Sequence, residues 1–192
     1  MQHAPLRLAS LCSALALFTL ATPADESPEA AAAAELLSNA DFSEWEDGAL
    51  KDWTLSIGSG AEWSIVVPER VEGAEAEATW VRLPDPGADY AVLAQPLPPE
   101  RIRPGNTMRF AARVKAERAF QLHLIVAFDR RSGPQKVREH HRGGGDWQEI
   151  EWYFEVPTDA VPDSFRLQLL RPPGRPGEVL IDRASVRFAQ DW

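Results

Sequence analysis

The chain has 192 residues, of which 44% are hydrophobic, 9% aromatic and 26% charged, the composition of one folded globular domain and not of a disordered chain. Acidic residues outnumber basic ones by 29 to 20, for a formal charge of −9, and no stretch of Lys and Arg is dense enough to neutralise a run of phosphates, which argues against nucleic-acid binding. The single cysteine, Cys12, excludes a disulfide scaffold and a multi-cysteine zinc site.

Residues Met1–Ala24 carry Arg7, then an apolar run from Leu8 to Ala21, then the small-residue stretch ending at Ala24, the pattern of a secretory signal peptide. The run falls short of the ~20 residues a helix needs to cross the hydrocarbon core, so a cleavable leader is expected and not an anchor. The mature protein is then periplasmic or secreted, with no membrane span. Cleavage also removes Cys12, so an oxidising compartment poses no hazard. Asp25–Glu35 is alanine and acid with nothing to build a core, and reads as a solvated tether. The folded body is expected over Leu36–Trp192.

From Leu36 onward apolar positions alternate, and Pro, Gly, Asn and Asp interrupt them at short intervals. The predicted strands, in chain order, are Trp53–Ile57, Glu62–Val67, Thr79–Leu83, Tyr90–Leu97, Met108–Lys115, Phe120–Phe128, Gln135–His140, Glu149–Val156, Phe165–Leu169 and Val179–Phe188. Met108, Phe110, Ala112 and Val114 form one core stripe, Val126 and Phe128 belong to a second, and Ile150, Trp152 and Phe154 to a third, each opposed by polar or small residues. Arg103–Asn106 and Asp85–Gly87 carry turn residues. The Gly143–Gly145 run leads into a strand and lacks the Gly-Lys-Ser/Thr of a phosphate loop. No internal repeat is present. About ten strands without a long helix give an all-β, two-sheet antiparallel sandwich or jelly roll.

Four strings, taken in order, carry a resemblance: Leu36-Leu37-Ser38-Asn39-Ala40-Asp41-Phe42 with Trp53-Thr54-Leu55; Leu93-Ala94-Gln95-Pro96-Leu97 with Pro104-Gly105-Asn106-Thr107; Gly145-Asp146-Trp147-Gln148 with Phe154-Glu155-Val156-Pro157; and Val179-Leu180-Ile181-Asp182 with Ser185-Val186. Together they resemble the galactose-binding-like jelly-roll carbohydrate-binding modules that accompany secreted glycoside hydrolases, over nearly all of Leu36–Phe188. The resemblance implies a structural calcium ion near Asp41, Ser43 and Asp182, with Ser43 standing where the family usually has Glu. Asp182 shares the parity of Leu180, Ala184 and Val186 and is expected to point inward, where a carboxylate needs a cation, an arginine or backbone amides. The resemblance also implies a glycan on the concave sheet face, held by ring stacking and hydrogen bonds. Trp80, Tyr90, Gln121, His123, Arg138, Tyr153 and Gln168 are the candidates, with Tyr90 and Gln168 nearest to positions the family uses. Trp53, Trp147 and Trp152 are expected to pack the core or seal the sandwich edge. No role is assigned to Trp45, Trp63 or Trp192.

An enzymatic alternative lies in Glu149, Glu151 and Glu155, whose spacing is similar to that of jelly-roll endoglucanases. Glu149 and Glu151 would stand ~6.6 Å apart along a strand, close to the ~5–5.5 Å of a retaining carboxyl pair. A row of Glu is also how exposed strands are kept soluble. His140 and His141 take opposite faces and cannot jointly chelate one metal. No Gly-x-Ser-x-Gly elbow exists. The expected function is therefore non-catalytic binding of a polysaccharide or glycan, and the alternative is an envelope or extracellular sandwich that binds a protein.

Overall fold

The computed structural model describes residues 34–189 except 73–78, 118–120, 131–132, 143 and 175, and gives 72, 121–124, 130 and 133–142 as backbone. The signal segment and most of the tether lie outside the described residues.

Thirteen strands are formed among the described residues. In chain order they are β1 (Trp45–Glu46), β2 (Ala49–Leu50), β3 (Thr54–Ser59), β4 (Glu62–Val66), β5 (Glu69–Glu72), β6 (Thr79–Arg82), β7 (Tyr90–Pro96), β8 (Thr107–Ala116), β9 (Gln121–Arg130), β10 (Gly133–Arg142), β11 (Trp147–Glu155), β12 (Ala160–Arg171) and β13 (Val179–Phe188). All ten predicted strands are present. The pairs β1–β2 and the edge strand β5 were not anticipated, because two to four residues are too short for an alternation to show. A six-stranded antiparallel sheet runs β10-β9-β12-β7-β3-β4 and packs against a five-stranded one, β11-β8-β13-β6-β5. The chain passes repeatedly from one sheet to the other, as a jelly roll does.

Between the sheets lies one core to which the alternating residues contribute: Leu55, Leu93, Val126 and Leu167 from the six-stranded sheet, Phe110, Val114, Ile181 and Val186 from the five-stranded one. Rings close it, Phe128 stacking on Phe165 at 4.9 Å and Phe110 on Trp152 at 5.5 Å. Trp53 is in this core and Trp152 packs against it, as expected. Polar side chains pin the ends. Gln95, buried on β7, accepts from the Ser38 N–H at 2.9 Å and donates to the carbonyls of Ser38 and Asp52. Glu35, which the sequence assigned to the tether, accepts from the Val186 N–H at 2.7 Å and the Ser185 hydroxyl at 2.6 Å, so it belongs to the body.

One expectation about parity is overturned. A β-bulge between Ile181 and Arg183 shifts the register of β13, so Ile181 and Ala184 both face the core and Asp182 between them faces out. Its carboxylate meets the Arg113 guanidinium at 2.9 Å on the outer surface.

Candidate functional site

The outer face of the six-stranded sheet is read from its register. Leu55, opposite Leu93 and Val66, faces the core, so the residues of opposite parity face out: Ser56 on β3, Trp63 and Ile65 on β4, Tyr90, Val92 and Ala94 on β7, Gln168 and Leu170 on β12. Gly58 stands opposite both Trp63 and Tyr90, so two rings flank a residue with no side chain in one ladder row. Trp63 is 47% exposed, Ile65 80% and Tyr90 37%. The Trp63 indole N–H donates to the Gly60 carbonyl at 3.2 Å, which holds the ring over the β3–β4 turn. The glycine at 58 is required, because the β4 backbone comes so close that a Cβ there would overlap the Glu62 carbonyl oxygen.

Gln168 sits mid-sheet, opposite Ala94 on one side and Ile125 on the other. Its amide offers two donors and an acceptor, in a row that also holds the Arg138 and Thr54 positions. Gln121 and His123 occupy outer-face positions on β9, and Arg138 stands opposite Ile125 on β10; their side chains lie outside the described residues. Five of the seven candidates, Tyr90, Gln121, His123, Arg138 and Gln168, therefore share one sheet face. Trp63 was missed. The signal was present in Trp63, Ile65 and Val67, three bulky apolar residues on the parity opposite to the core residue Val66, with nothing polar among them.

Trp80 and Tyr153 do not belong to that face. Both lie on the five-stranded sheet, on β6 and β11, because the chain changes sheet between β6 and β7 and again between β10 and β11. Trp80 meets Trp147 edge-on at 5.1 Å, and Arg113 lies 5.2 Å from the Trp147 ring. Trp147 is thus on the outer face of the edge strand β11 and not in the core. The Tyr153 hydroxyl donates to Glu151, which also accepts from Arg109 at 2.6 Å. These two donors favour the charged carboxylate and hold Glu151 at about 2, while the same contact raises the Tyr153 phenol. Glu149 pairs with Arg183 at 3.1 Å.

Asp41, Ser43 and Asp182 do not converge. Asp41 accepts from the Ser43 N–H and hydroxyl, closing a local turn beside a cavity of about 600 Å³ that Asp41 and Ser43 line together with Arg109, Glu149 and Arg183. Asp182 is outside that cavity and is held by Arg113. No group of three His, Cys, Asp or Glu side chains suited to a metal occurs among the described residues. The arrangement does not fit the expected calcium ion, since one carboxylate is engaged by a cation and the other by its own turn.

No family model and no curated protein sequence matches the chain. Solved structures do match in fold. The chain is similar to the CBM22-1 xylan-binding domain of Xyn10C from Paenibacillus barcinonensis, with a TM-score of 0.58 and 14% identity, over 84% of this chain and 98% of that one. It is similar to the family 11 carbohydrate-binding module of the cellulosomal cellulase Lic26A-Cel5E from Clostridium thermocellum, with a TM-score of 0.53 and 15% identity, over 84% and 98%. It also matches the enzymatically active domain of tailspike protein 4 of bacteriophage CBA120, with a TM-score of 0.57 and 14% identity, over 81% of this chain but only 21% of the tailspike domain. The chain has the jelly-roll β-sandwich fold of carbohydrate-binding modules.

Proposed function

We propose that this chain is an exported, non-catalytic glycan-binding sandwich whose ligand lies on the outer face of the six-stranded sheet. Trp63 and Tyr90 offer ring faces to the apolar side of a sugar, and the Gln168 amide takes its hydroxyls. The observation that carries the reading is the pair of exposed rings on one sheet face, flanking Gly58, in a fold shared with carbohydrate-binding modules. Export rests on the Met1–Ala24 pattern.

A hydrolase is disfavoured by the state of its best carboxylates. A general acid needs a pKa raised toward the working pH, whereas Arg109 and Tyr153 push Glu151 down. Glu149 is engaged in an ion pair with Arg183. A protein-binding role is favoured by one observation, the exposure of Ile65 and Val67 at the β4 edge.

Tryptophan fluorescence of the mature chain, titrated with soluble glucans, xylans, mannans and galactans, tests the proposal. A saturable shift that Tyr90→Ala and Gln168→Ala abolish and Tyr153→Ala leaves intact, with no reducing ends released, is expected. Binding lost in Tyr153→Ala but kept in Tyr90→Ala would overturn the site, and no response to any polysaccharide would favour the protein-binding role.

A further inference from the structure

The outer face of the six-stranded sheet has a charge pattern unlike that of the chain as a whole. Strand β10 pairs with β9 so that Lys136 stands opposite Ala127, Arg138 opposite Ile125, His140 opposite His123 and Arg142 opposite Gln121. Val126 and Phe128 face the core, so Ala127, Ile125, His123 and Gln121 occupy outer-face positions on β9, and their partners on β10 occupy the same face. On β12, Arg166 stands opposite both Ala127 and Pro96 and is exposed. Among the described residues, the outer-face positions of the paired segments from β10 to β4 hold a single carboxylate, Asp129 near the end of β9. Glu139, the carboxylate in the middle of β10, is on the other parity. A chain of formal charge −9 thus presents one face of lysine, arginine and histidine positions almost free of acid. Alternation scatters these cations along the sequence, and the ladder gathers them.

The second feature is extent. The cationic positions lie on β10, β9 and β12 and the exposed rings on β7 and β4, so that they occupy successive halves of the six strands and meet at the β12–β7 pair. Five interstrand spacings of ~4.8 Å separate the edges by roughly 24 Å. A single sugar cannot reach from the β10 positions to Trp63 on β4; a polymer crossing the strands can.

We infer that the ligand of this face is an anionic polysaccharide, whose carboxylate or sulfate groups meet the Lys136, Arg138 and Arg166 side while its sugar rings meet Trp63 and Tyr90. This rests on the glycan-binding reading and specifies its substrate class. Guanidinium groups pair with carboxylate and sulfate oxygens in a matched fork geometry, so both esters and acids are served by the same chemistry.

Calorimetry of the mature chain with sodium polygalacturonate, dextran sulfate, neutral xylan and duplex DNA tests it. Polygalacturonate or dextran sulfate is expected to bind about ten-fold more tightly than xylan at low salt, and the triple variant Lys136→Gln, Arg138→Gln, Arg166→Gln to remove that advantage. Raising salt from about 0.05 to about 0.5 M should weaken polyanion binding and spare neutral binding. The stronger of the two polyanions tells carboxylate from sulfate. Should the triple variant fail to fold by circular dichroism, Arg166→Gln alone must lower the salt sensitivity. Equal or tighter binding of xylan, lost in Tyr90→Ala, would overturn the anionic class and keep the glycan site. Equal binding of DNA would reduce the face to a general polyanion surface and overturn the proposal, and binding of no polysaccharide by the folded chain would overturn both readings.

Discussion

On the outer face of the five-stranded sheet, Arg82, Arg109, Arg113, Arg183 and Arg187 each meet a carboxylate, from Glu178, Glu151, Asp182, Glu149 and Glu35 in turn. On the outer face of the six-stranded sheet, Trp63, Ile65 and Tyr90 stand open to water, and among the described residues the outer-face positions of the paired segments hold one carboxylate, Asp129. Both faces come from the same alternation of strand residues over the same core. One pairs its arginines with carboxylates, and the other leaves ring faces exposed. Exposed apolar surface costs solvation free energy and is retained where something covers it. The proposed glycan site on the six-stranded sheet rests on this difference.

The sharpest way to break the comparison is to remove the rings. Trp63→Ala and Tyr90→Ala are each expected to weaken glycan binding by about ten-fold or more, since central aromatic anchors dominate binding energy, with thermal stability unchanged. Tyr153→Ala, an equally exposed ring on the paired face, is expected to leave affinity where it was. Calorimetry of the three variants decides it, and equal losses from Tyr153 and Tyr90 would erase the distinction between the faces.

A second substitution acts on the scaffold beneath the rings. A Cβ at Gly58 would overlap the Glu62 carbonyl oxygen and lie 2.8 Å from the Trp63 Cα, so Gly58→Ala must push β4 away from β3. The expected cost is about 1–3 kcal/mol of stability, as for overpacked sites, together with weaker glycan binding because Trp63 moves with its strand. Thermal unfolding and a binding titration on the same sample separate the two effects.

Much of this was legible in the sequence, and the exceptions have physical reasons. The alternation in β8 and β11 assigned every inward residue correctly, because long strands over one core repeat their period many times. Asp182 was placed on the wrong side by a bulge, which inserts one residue and leaves no trace in composition. Trp80 and Tyr153 were grouped with Tyr90 because alternation reports which face of a strand is polar and not to which sheet the strand belongs. Trp63 went unassigned because an exposed tryptophan and a buried one look alike until the parity of its strand is anchored by Val66.

Correcting Asp182 produces a third prediction. Its carboxylate is only 18% exposed and lies 2.9 Å from Arg113, which in turn lies over the Trp147 ring. Asp182→Ala leaves a guanidinium without its partner in a half-buried setting, and about 1–2 kcal/mol of stability should be lost, the range for a hydrogen bond to a charged group. Arg183→Ala, which removes a more exposed pair, should cost less. Denaturant unfolding of both variants ranks them, and the reverse order would mean that Asp182 does not organise this surface. Calcium should not raise the midpoint of either variant or of the parent chain.

The smallest effect concerns the closed face under acid. Arg109 and Tyr153 both donate to the Glu151 carboxylate and lower its pKa from the ordinary 4.5 to about 2 in the folded protein. As pH falls, the unfolded chain therefore takes up this proton before the folded one does. The stability contributed by the pair is complete above about pH 4.5 and is lost progressively on descending toward pH 2. With the Glu151 side chain 38% exposed, solvent screens the interaction and its worth stays under about 1 kcal/mol. Glu151→Gln should accordingly flatten the stability curve of the folded chain between those two pH values and change it little at neutral pH. Chemical unfolding at matched pH values measures this directly. Since Glu151 lies on the opposite sheet from Trp63 and Tyr90, the same substitution should leave glycan affinity untouched at every pH, which makes it a control for the surface assignment as well as a test of the pair.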